Sequence, residues 1–388
     1  MKALQAFFRS AKQALVSFWT PELSFIMLLF LFTRVILTIV GRASVDCIGP
    51  LFTRGWIYID NPWLNTWGAW DTAWYVKIAR YGYSPEVSQA LESFNQATYG
   101  FFPLYPLLIK CAAFFIKDYF IAGLVVSNLC FILACLVLYR LVRLDADEDT
   151  AKRTVKYLFL FPAAFIFSAV FSESLFLLLL VLCFYFSRKE KWLYAGISGF
   201  FLSLTRPVGI FFAAPLLYEY LQRKGFSLRK VRADVLFLLL FPLGLFVFMA
   251  YCYWLTGDAL AYFHIKEAGW GNRFMNPLLI IKACFCGDSR YELNVMMVLA
   301  VVGLVSIFWR KIGFSYWLLT MIAVFAPLSG GFVLVLSMLR YMLVIFPLAL
   351  LFAKLSRDPE TDTLFTVSLA LLQGFLMVFW SNRFDMLI

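Results

Sequence analysis

The run LSFIMLLFLFTRVILTIVG, residues 23–41, carries a single charge, Arg34. Crossing the hydrocarbon of a bilayer takes about 20 largely apolar residues in helical form, and this run has that length. It exceeds the apolar stretch of a cleavable leader and lacks a small-residue cleavage pattern, so it reads as a first membrane span. Ahead of it, Leu4, Phe7, Phe8, Leu15, Phe18 and Trp19 are interspersed with Lys2, Arg9 and Lys12. That pattern predicts an amphipathic helix over residues 1–22 lying on the cytoplasmic surface of the membrane.

The rest of the chain has the same character. Of 388 residues, 63% are hydrophobic and 15% charged, with a mean hydropathy of +0.82. Soluble domains carry roughly a quarter charged residues. A water-soluble fold of this size cannot bury 44 Phe side chains, so the fold class is an all-α polytopic membrane protein. The net charge of +11 fits basic cytoplasmic loops, and no nucleic-acid motif accompanies it. The cysteines form no framework: five lie in apolar runs, and Cys284 with Cys286 lacks the second pair of a zinc site. His264 is the sole histidine, which excludes a centre built from several imidazoles.

Basic clusters give the direction of threading. Lys2 to Lys12, Arg140 to Lys156, Arg188 to Lys191, Arg223 to Arg232, Arg310 with Lys311, and Lys354 with Arg357 are all expected in the cytoplasm. Successive clusters must then be separated by an even number of spans. The run FFPLYPLLIKCAAFFI, residues 101–116, is short and holds Pro103, Pro106 and Lys110. It is expected to re-enter the membrane or lie on its outer surface. Two short spans fit between Lys191 and Arg223 if the chain reverses at Thr205-Arg206-Pro207. Further spans are expected at 119–139, 157–170, 173–187, 234–255, 291–309, 312–328, 333–353 and 362–380, giving about 11 transmembrane helices with the N-terminus cytoplasmic and the C-terminus outside. Residues 1–388 then form one integral-membrane domain: the surface helix 1–22, a large outer loop 43–118, core helices in 119–256, and an outer loop with the C-terminal helices in 257–388. The short run 277–286 is expected on the outer surface.

This threading gathers the chemistry-bearing side chains at the outer face. In WDTAWYVKIARYGY, residues 70–83, Trp70, Trp74, Ile78 and Tyr81 recur at helical spacing and predict one apolar face, flanked by Asp71 and Tyr75. Trp and Tyr favour the membrane–water interface, which places Asp71 at headgroup depth. An ionised carboxylate at a helix start can cap the helix or take a proton from an attacking hydroxyl, and the stretch alone leaves both roles open. Glu173, in FSESLF, is either a dipole-favoured carboxylate at the start of a span or a substrate contact. Arg206, at a broken helix, and Arg340, beside Tyr341, are expected to grip phosphate in two-pronged fashion. The loop GDALAYFHIKEAGWGNRF, residues 257–274, adds His264, Lys266, Glu267 and Arg273, and is expected to cover the site or hold an acceptor. The Asp-x-Asp pattern in LDADED, residues 144–149, lies between Arg143 and Lys152 and reads as a solvated charge run.

Five stretches occur in a telling order: WDTAWYVKIARYGY (70–83), YGFFPLYPLLIK (99–110), FPAAFIFSAVFSESLF (161–176), SLTRPVG (203–209) and RYMLVIFPLALL (340–351). Together they resemble the PIG-V family, that of GPI mannosyltransferase 2 and its prokaryotic relatives. The resemblance implies a GT-C fold glycosyltransferase with a polyprenyl-phosphate sugar donor, usually mannose, and a catalytic aspartate in the first outer loop, matched here by Asp71. Many relatives carry a basic residue just before the Trp-Asp pair, where this chain has Ala69. On this reading Asp71 is the general base of an inverting transfer to an acceptor hydroxyl. Arg206, Arg340 and Lys266 bind the donor phosphate, and Trp70, Trp74, Tyr75, Glu173, His264, Glu267 and Tyr341 contact substrate. No cofactor is required; two carboxylates suffice to hold a divalent metal, but no residue pattern indicates one. The expected partners are a lipid-linked sugar donor, a lipid, glycan or protein acceptor, and membrane lipids, with no nucleic acid. The expected location is the cell (inner) membrane of a prokaryote or the endoplasmic reticulum of a eukaryote, with the site facing outward or into the lumen. A transporter or lipid flippase is the alternative, because broken helices also line transport sites. A structural subunit that holds another enzyme is the third reading.

Overall fold

The computed structural model describes residues 20–48, 57–89, 94–285 and 289–384. The surface helix expected over 1–22 lies outside the described residues, apart from its end, and Pro21 already belongs to the first span. That helix, α1 (Pro21–Ile48), runs past Gly41, so residues 43–48, expected in the loop 43–118, are helical. Arg42 and Asp46, one turn apart, pair along the extension. Ile26, Arg34, Leu37 and Gly41 are buried on one face of α1. Leu28, Leu31, Phe32, Val35 and Ile39 are exposed on the other. An exposed apolar stripe of that length suits contact with hydrocarbon.

The first half of the chain continues with α2 (Thr72–Tyr81), α3 (Leu104–Ile116), α4 (Tyr119–Val142), α5 (Glu148–Leu160), α6 (Glu173–Arg188), α7 (Trp192–Ser203) and α8 (Ala213–Arg223). The second half holds α9 (Ala233–Thr256), α10 (Ala261–Trp270), α11 (Pro277–Cys284), α12 (Ser289–Ile307), α13 (Phe314–Leu328), α14 (Met338–Met342), α15 (Phe346–Leu355) and α16 (Pro359–Ser381). Among the described residues there is no strand, and α1, α4, α9, α12 and α16 are the helices long and apolar enough to cross a membrane. The other expected spans are shorter or broken helices within the bundle.

The centre of the bundle is α6. Its sequence, ESLFLLLLVLCFYFSR, is apolar nearly all round, and a helix of that kind belongs in an interior. It packs between α4 and α7. Glu173 in its first turn and Arg188 in its last complement the helix dipole. Beyond it α7 crosses α9 at close range. A Cβ at Gly196 would lie 2.3 Å from the Phe237 carbonyl oxygen, and one at Gly244 would lie 2.3 Å from that of Phe200. Small residues allow this approach.

Two expected spans, 157–170 and 333–353, are not continuous helices. In the first, α5 stops at Leu160 because Pro162 has no amide hydrogen and drives Phe161 to an extended ψ of 136°. The carbonyls left without helical partners are met from other helices. Gln373 of α16 donates to the oxygens of Phe159 and Phe161 at 2.8 and 3.0 Å. Arg34 of α1 donates to Ser168 Oγ at 2.7 Å and to the Ala164 oxygen at 3.1 Å, with its guanidinium 5.0 Å from the Phe131 ring. Irregular backbone at membrane depth persists where protein groups satisfy it in this way. In the second break, the helix ends at Met342 and resumes at Phe346, with Pro347 in the new first turn. This interruption leaves Arg340 on a short helix of its own.

LDADED leads into α5, with Asp147 at its cap. Asp147 accepts from the Thr150 amide at 2.7 Å, Glu148 pairs with Lys152, and Asp149 pairs with Arg153. These carboxylates are engaged in capping and one-turn pairing. Asp147→Ala and Asp149→Ala are therefore expected to leave unchanged the sugar transfer that the family resemblance implies. A collapse of that implied transfer in either variant would contradict the reading of this segment as a solvated charge run.

Candidate active site

The site starts from a turn. Trp70 takes φ +39°, a left-handed conformation that a bulky residue rarely adopts. Its ring packs 5.1 Å from that of Trp380. The Ala69 amide donates to Thr72 Oγ1 at 3.1 Å, and that hydroxyl reaches the Val170 carbonyl at 3.4 Å. The turn changes the helical phase expected for this stretch. Regular helix begins at Thr72, and the buried face is Thr72, Tyr75, Ile78 and Ala79, while Tyr81 is 71% exposed. The face expected from Trp70, Trp74, Ile78 and Tyr81 is thus corrected, because Trp70 precedes the helix. Asp71 occupies the cap position, yet its side chain makes no capping hydrogen bond.

Asp71 Oδ2 instead accepts from Arg340 Nη1 at 2.6 Å. The same guanidinium donates through Nε to Glu173 Oε1, an oxygen that also receives Arg206 Nη2. Arg206 Nε donates to Ser172 Oγ at 3.0 Å, and Ser172 Oγ lies 3.0 Å from the Tyr75 hydroxyl. The Arg340 guanidinium also lies over Phe171, 4.4 Å from the ring centre, and Arg206 lies 5.7 Å from that of Tyr341. Segments far apart in sequence thus meet in one ionic chain: Asp71, Arg340, Glu173, Arg206. Glu173 is fully buried at the N-terminus of α6, and its Oε2 has no protein hydrogen-bond partner. The expected direct substrate contact by Glu173 is therefore corrected: it is covered, and it holds the two arginines in place.

Lys266 completes the cluster. Its Nζ lies 3.9 Å from the Trp270 ring centre and 4.5 Å from that of Phe101. Trp74 packs against both rings, at 5.8 and 5.7 Å. Burial lowers the Lys266 ammonium to about 8; Asp71 opposes that shift, and Arg340 and Arg206 add to it. Burial of Asp71 works against its charge, but Arg340, Lys266 and Arg206 outweigh that and hold the carboxyl below its ordinary range. Three cations face two carboxylates, and Asp71 is ionised at neutral pH.

The structure does not bring His264 and Glu267 to Asp71. The helical phase of α10 turns Ala261 and Ile265 inward. His264 Nδ1 lies 2.6 Å from Asp258 Oδ2, with the imidazole 63% exposed. Glu267 pairs with Arg273 at 3.1 Å, both largely exposed. Their expected contact with substrate has no support in this placement. Trp70, Trp74, Tyr75 and Tyr341 do line or adjoin the cluster.

Four participants escaped the sequence reading. Ser172 carried a weak signal beside Glu173 in FSESLF. Phe171 under Arg340 and Trp270 under Lys266 carried none, since an aromatic in an aromatic-rich chain does not announce a cation partner. Tyr262 is the fourth: burial pushes its phenol well above the ordinary range, with Tyr341, Arg206 and Asp71 among the groups acting on it. Among the described residues no group of three or more His, Cys, Asp or Glu side chains is placed to hold a metal.

No family model matches the chain, and no curated protein matches its sequence. Solved structures of the oligosaccharyltransferase of Archaeoglobus fulgidus are distantly similar. The form tethered to an acceptor peptide with an NVT sequon is 12% identical with a TM-score of 0.44, covering 92% of this chain and 55% of that one. The form in complex with an inhibitory peptide and a dolichol-phosphate is 12% identical with a TM-score of 0.40, over the same shares. The chain therefore spans about 55% of the length of the solved chains it resembles.

Proposed function

We propose that this chain is an inverting membrane glycosyltransferase of the GT-C kind, related to the PIG-V family. It moves a hexose, mannose by that resemblance, from a polyprenyl-phosphate donor to an acceptor hydroxyl at the outer membrane face. The observation that carries the reading is the Asp71–Arg340–Glu173–Arg206 chain with Lys266 beside it. It supplies one ionised carboxylate and a surplus of positive charge in a largely buried cluster edged by aromatic rings. The acceptor oxygen forms the new bond to the anomeric carbon on the face opposite the leaving group, and its proton passes to Asp71. The bond from that carbon to the phosphate oxygen breaks, and its electron pair leaves with the lipid phosphate. Arg206, Arg340 and Lys266 stabilise that anion through charge already in position.

Arg340 serves both ends of this reaction. Its hold keeps Asp71 ionised before substrate arrives. A donor phosphate competing for the guanidinium loosens that hold and raises the proton affinity of Asp71 as the acceptor attacks. The basic residue that many relatives carry before Trp-Asp is absent at Ala69, and Lys266 offers a cation near the same carboxylate.

Lys266 gives the reading a pH signature. Its ammonium is protonated below about 8 and neutral above, so donor KM is expected to rise as pH increases through that value. Lys266→Arg, with a group charged throughout, should move this alkaline limb upward. Lys266→Ala should raise donor KM below about pH 8 and converge with the wild type above it. Measured KM profiles that are flat in the wild type and unchanged in Lys266→Ala would remove Lys266 from the donor site.

A further inference from the structure

The opposite end of α6 carries a second ionic assembly, roughly 22 Å along the helix axis from Glu173. Arg188 pairs with Asp145 at 2.5 Å and with Glu219 at 3.0 Å. Glu219 is 3% exposed and also accepts from the hydroxyls of Ser187 and Ser315, each at 2.9 Å. The Arg188 guanidinium lies 5.3 Å from the Tyr316 ring centre. Both carboxylates are therefore already committed to Arg188.

Over this base opens a cavity of about 260 Å³, bounded by Arg188, Asp145, Tyr316, Arg310, Lys311 and Lys354. Gly313, at φ +95°, donates its amide to the Trp309 oxygen at 2.8 Å. That closes the one-turn helix Trp309–Ile312 and carries Arg310 and Lys311 to the mouth of the cavity. Lys354 Nζ donates to the Lys311 carbonyl at 2.7 Å, which fixes it at the same rim. Among the described residues, none of Arg310, Lys311 and Lys354 has a carboxylate within ion-pair distance. Three cations around one small cavity repel one another and favour an anion between them. The surroundings indicate which anion. Leu141, Val142 and Leu350 form apolar wall, and Trp309, 39% exposed, lies with its ring centre 5.7 Å from the Arg310 guanidinium. Such a setting belongs at the membrane–water boundary, where basic pockets between helices hold lipid headgroups.

We propose that this cavity binds the phosphate of an anionic phospholipid in the leaflet opposite the Asp71 site. The inference stands apart from the proposed transfer reaction and does not depend on it.

The test uses the full chain purified in neutral detergent and native mass spectrometry with short-chain phosphatidylglycerol, phosphatidylcholine or inorganic phosphate. The wild type is expected to retain phosphatidylglycerol in preference to phosphatidylcholine, and to lose it as salt rises. Lys311→Gln combined with Lys354→Gln should weaken that binding roughly 30-fold. Lys354→Arg, which keeps the charge and a donor to the Lys311 carbonyl, should bind as the wild type does. Arg310→Gln, at an exposed position, gives an independent variant whose folding is not at risk. Equal phosphatidylglycerol affinity in the wild type, the double variant and Arg310→Gln would overturn the proposal. Inorganic phosphate binding as tightly as the lipid would overturn the lipid as its occupant.

Discussion

Asp71→Asn is expected to lower transfer by about a thousandfold, within the range usual for loss of a general base, with little change in folding. The substitution keeps the shape of the side chain and removes its charge. Arg340 retains its bond to Glu173, so the buried end of the ionic chain stays paired. Asp71 is also the more accessible carboxylate, its side chain 21% exposed against 0% for Glu173. Removing its charge therefore leaves no unpaired group in the dry interior. Transfer measured with a labelled donor, alongside a thermal-unfolding curve, checks both halves. Undiminished transfer by Asp71→Asn would reject the base assignment, and a large loss of stability would make Asp71 a structural residue first.

Glu173→Ala is expected to act in the opposite manner, with its main effect on stability. Two guanidinium groups share one oxygen of a carboxylate that is fully buried. Removing it leaves Arg206 and Arg340 facing each other without compensation. Breaking a buried ion pair from one side typically costs about 3–5 kcal/mol, and the shared geometry places this site at the upper end. Unfolding followed by heat or denaturant should show a lower midpoint, and any residual folded protein should transfer poorly because both arginines are displaced. Adding Arg206→Gln should recover part of the stability by removing the repulsion, a coupling that a double-mutant cycle reads directly. If Glu173→Ala unfolds like the wild type, the ionic chain is not the framework proposed for the site.

The contrast between these carboxylates shows where sequence reasoning succeeds. The apolar run of α1 is legible as a membrane-length helix, and the near-uniform apolarity of α6 as an interior one, because burial in hydrocarbon or in protein imposes a composition that the sequence makes visible. The Trp70-Asp71 pair, Arg206 beside Pro207 and Arg340 beside Tyr341 stand out because ionisable groups are rare in such a chain. Two kinds of feature were hidden. One is partnership: nothing local in the sequence says that Arg340 spans Asp71 and Glu173, or that Arg34 satisfies a carbonyl freed by Pro162. The other is phase. One left-handed residue, Trp70, resets which face of α2 is buried, and a period count cannot see that. The same blindness grouped His264 and Glu267 with Lys266, although one helix turns them to different sides.

Everything proposed for the Asp71 cluster requires that the chain make a glycosidic bond using a lipid-phosphate donor. The most direct measurement incubates the purified wild type with a panel of labelled polyprenyl-phosphate hexoses, mannose included, and a membrane lipid extract, and resolves the products. Label is expected in a new product whose anomeric configuration is the inverse of the donor's, with the polyprenyl phosphate released in equal amount. If every labelled donor stays chemically intact with folded protein, and sealed vesicles containing the protein move the lipid from one leaflet to the other, the chain is a transporter and not a glycosyltransferase.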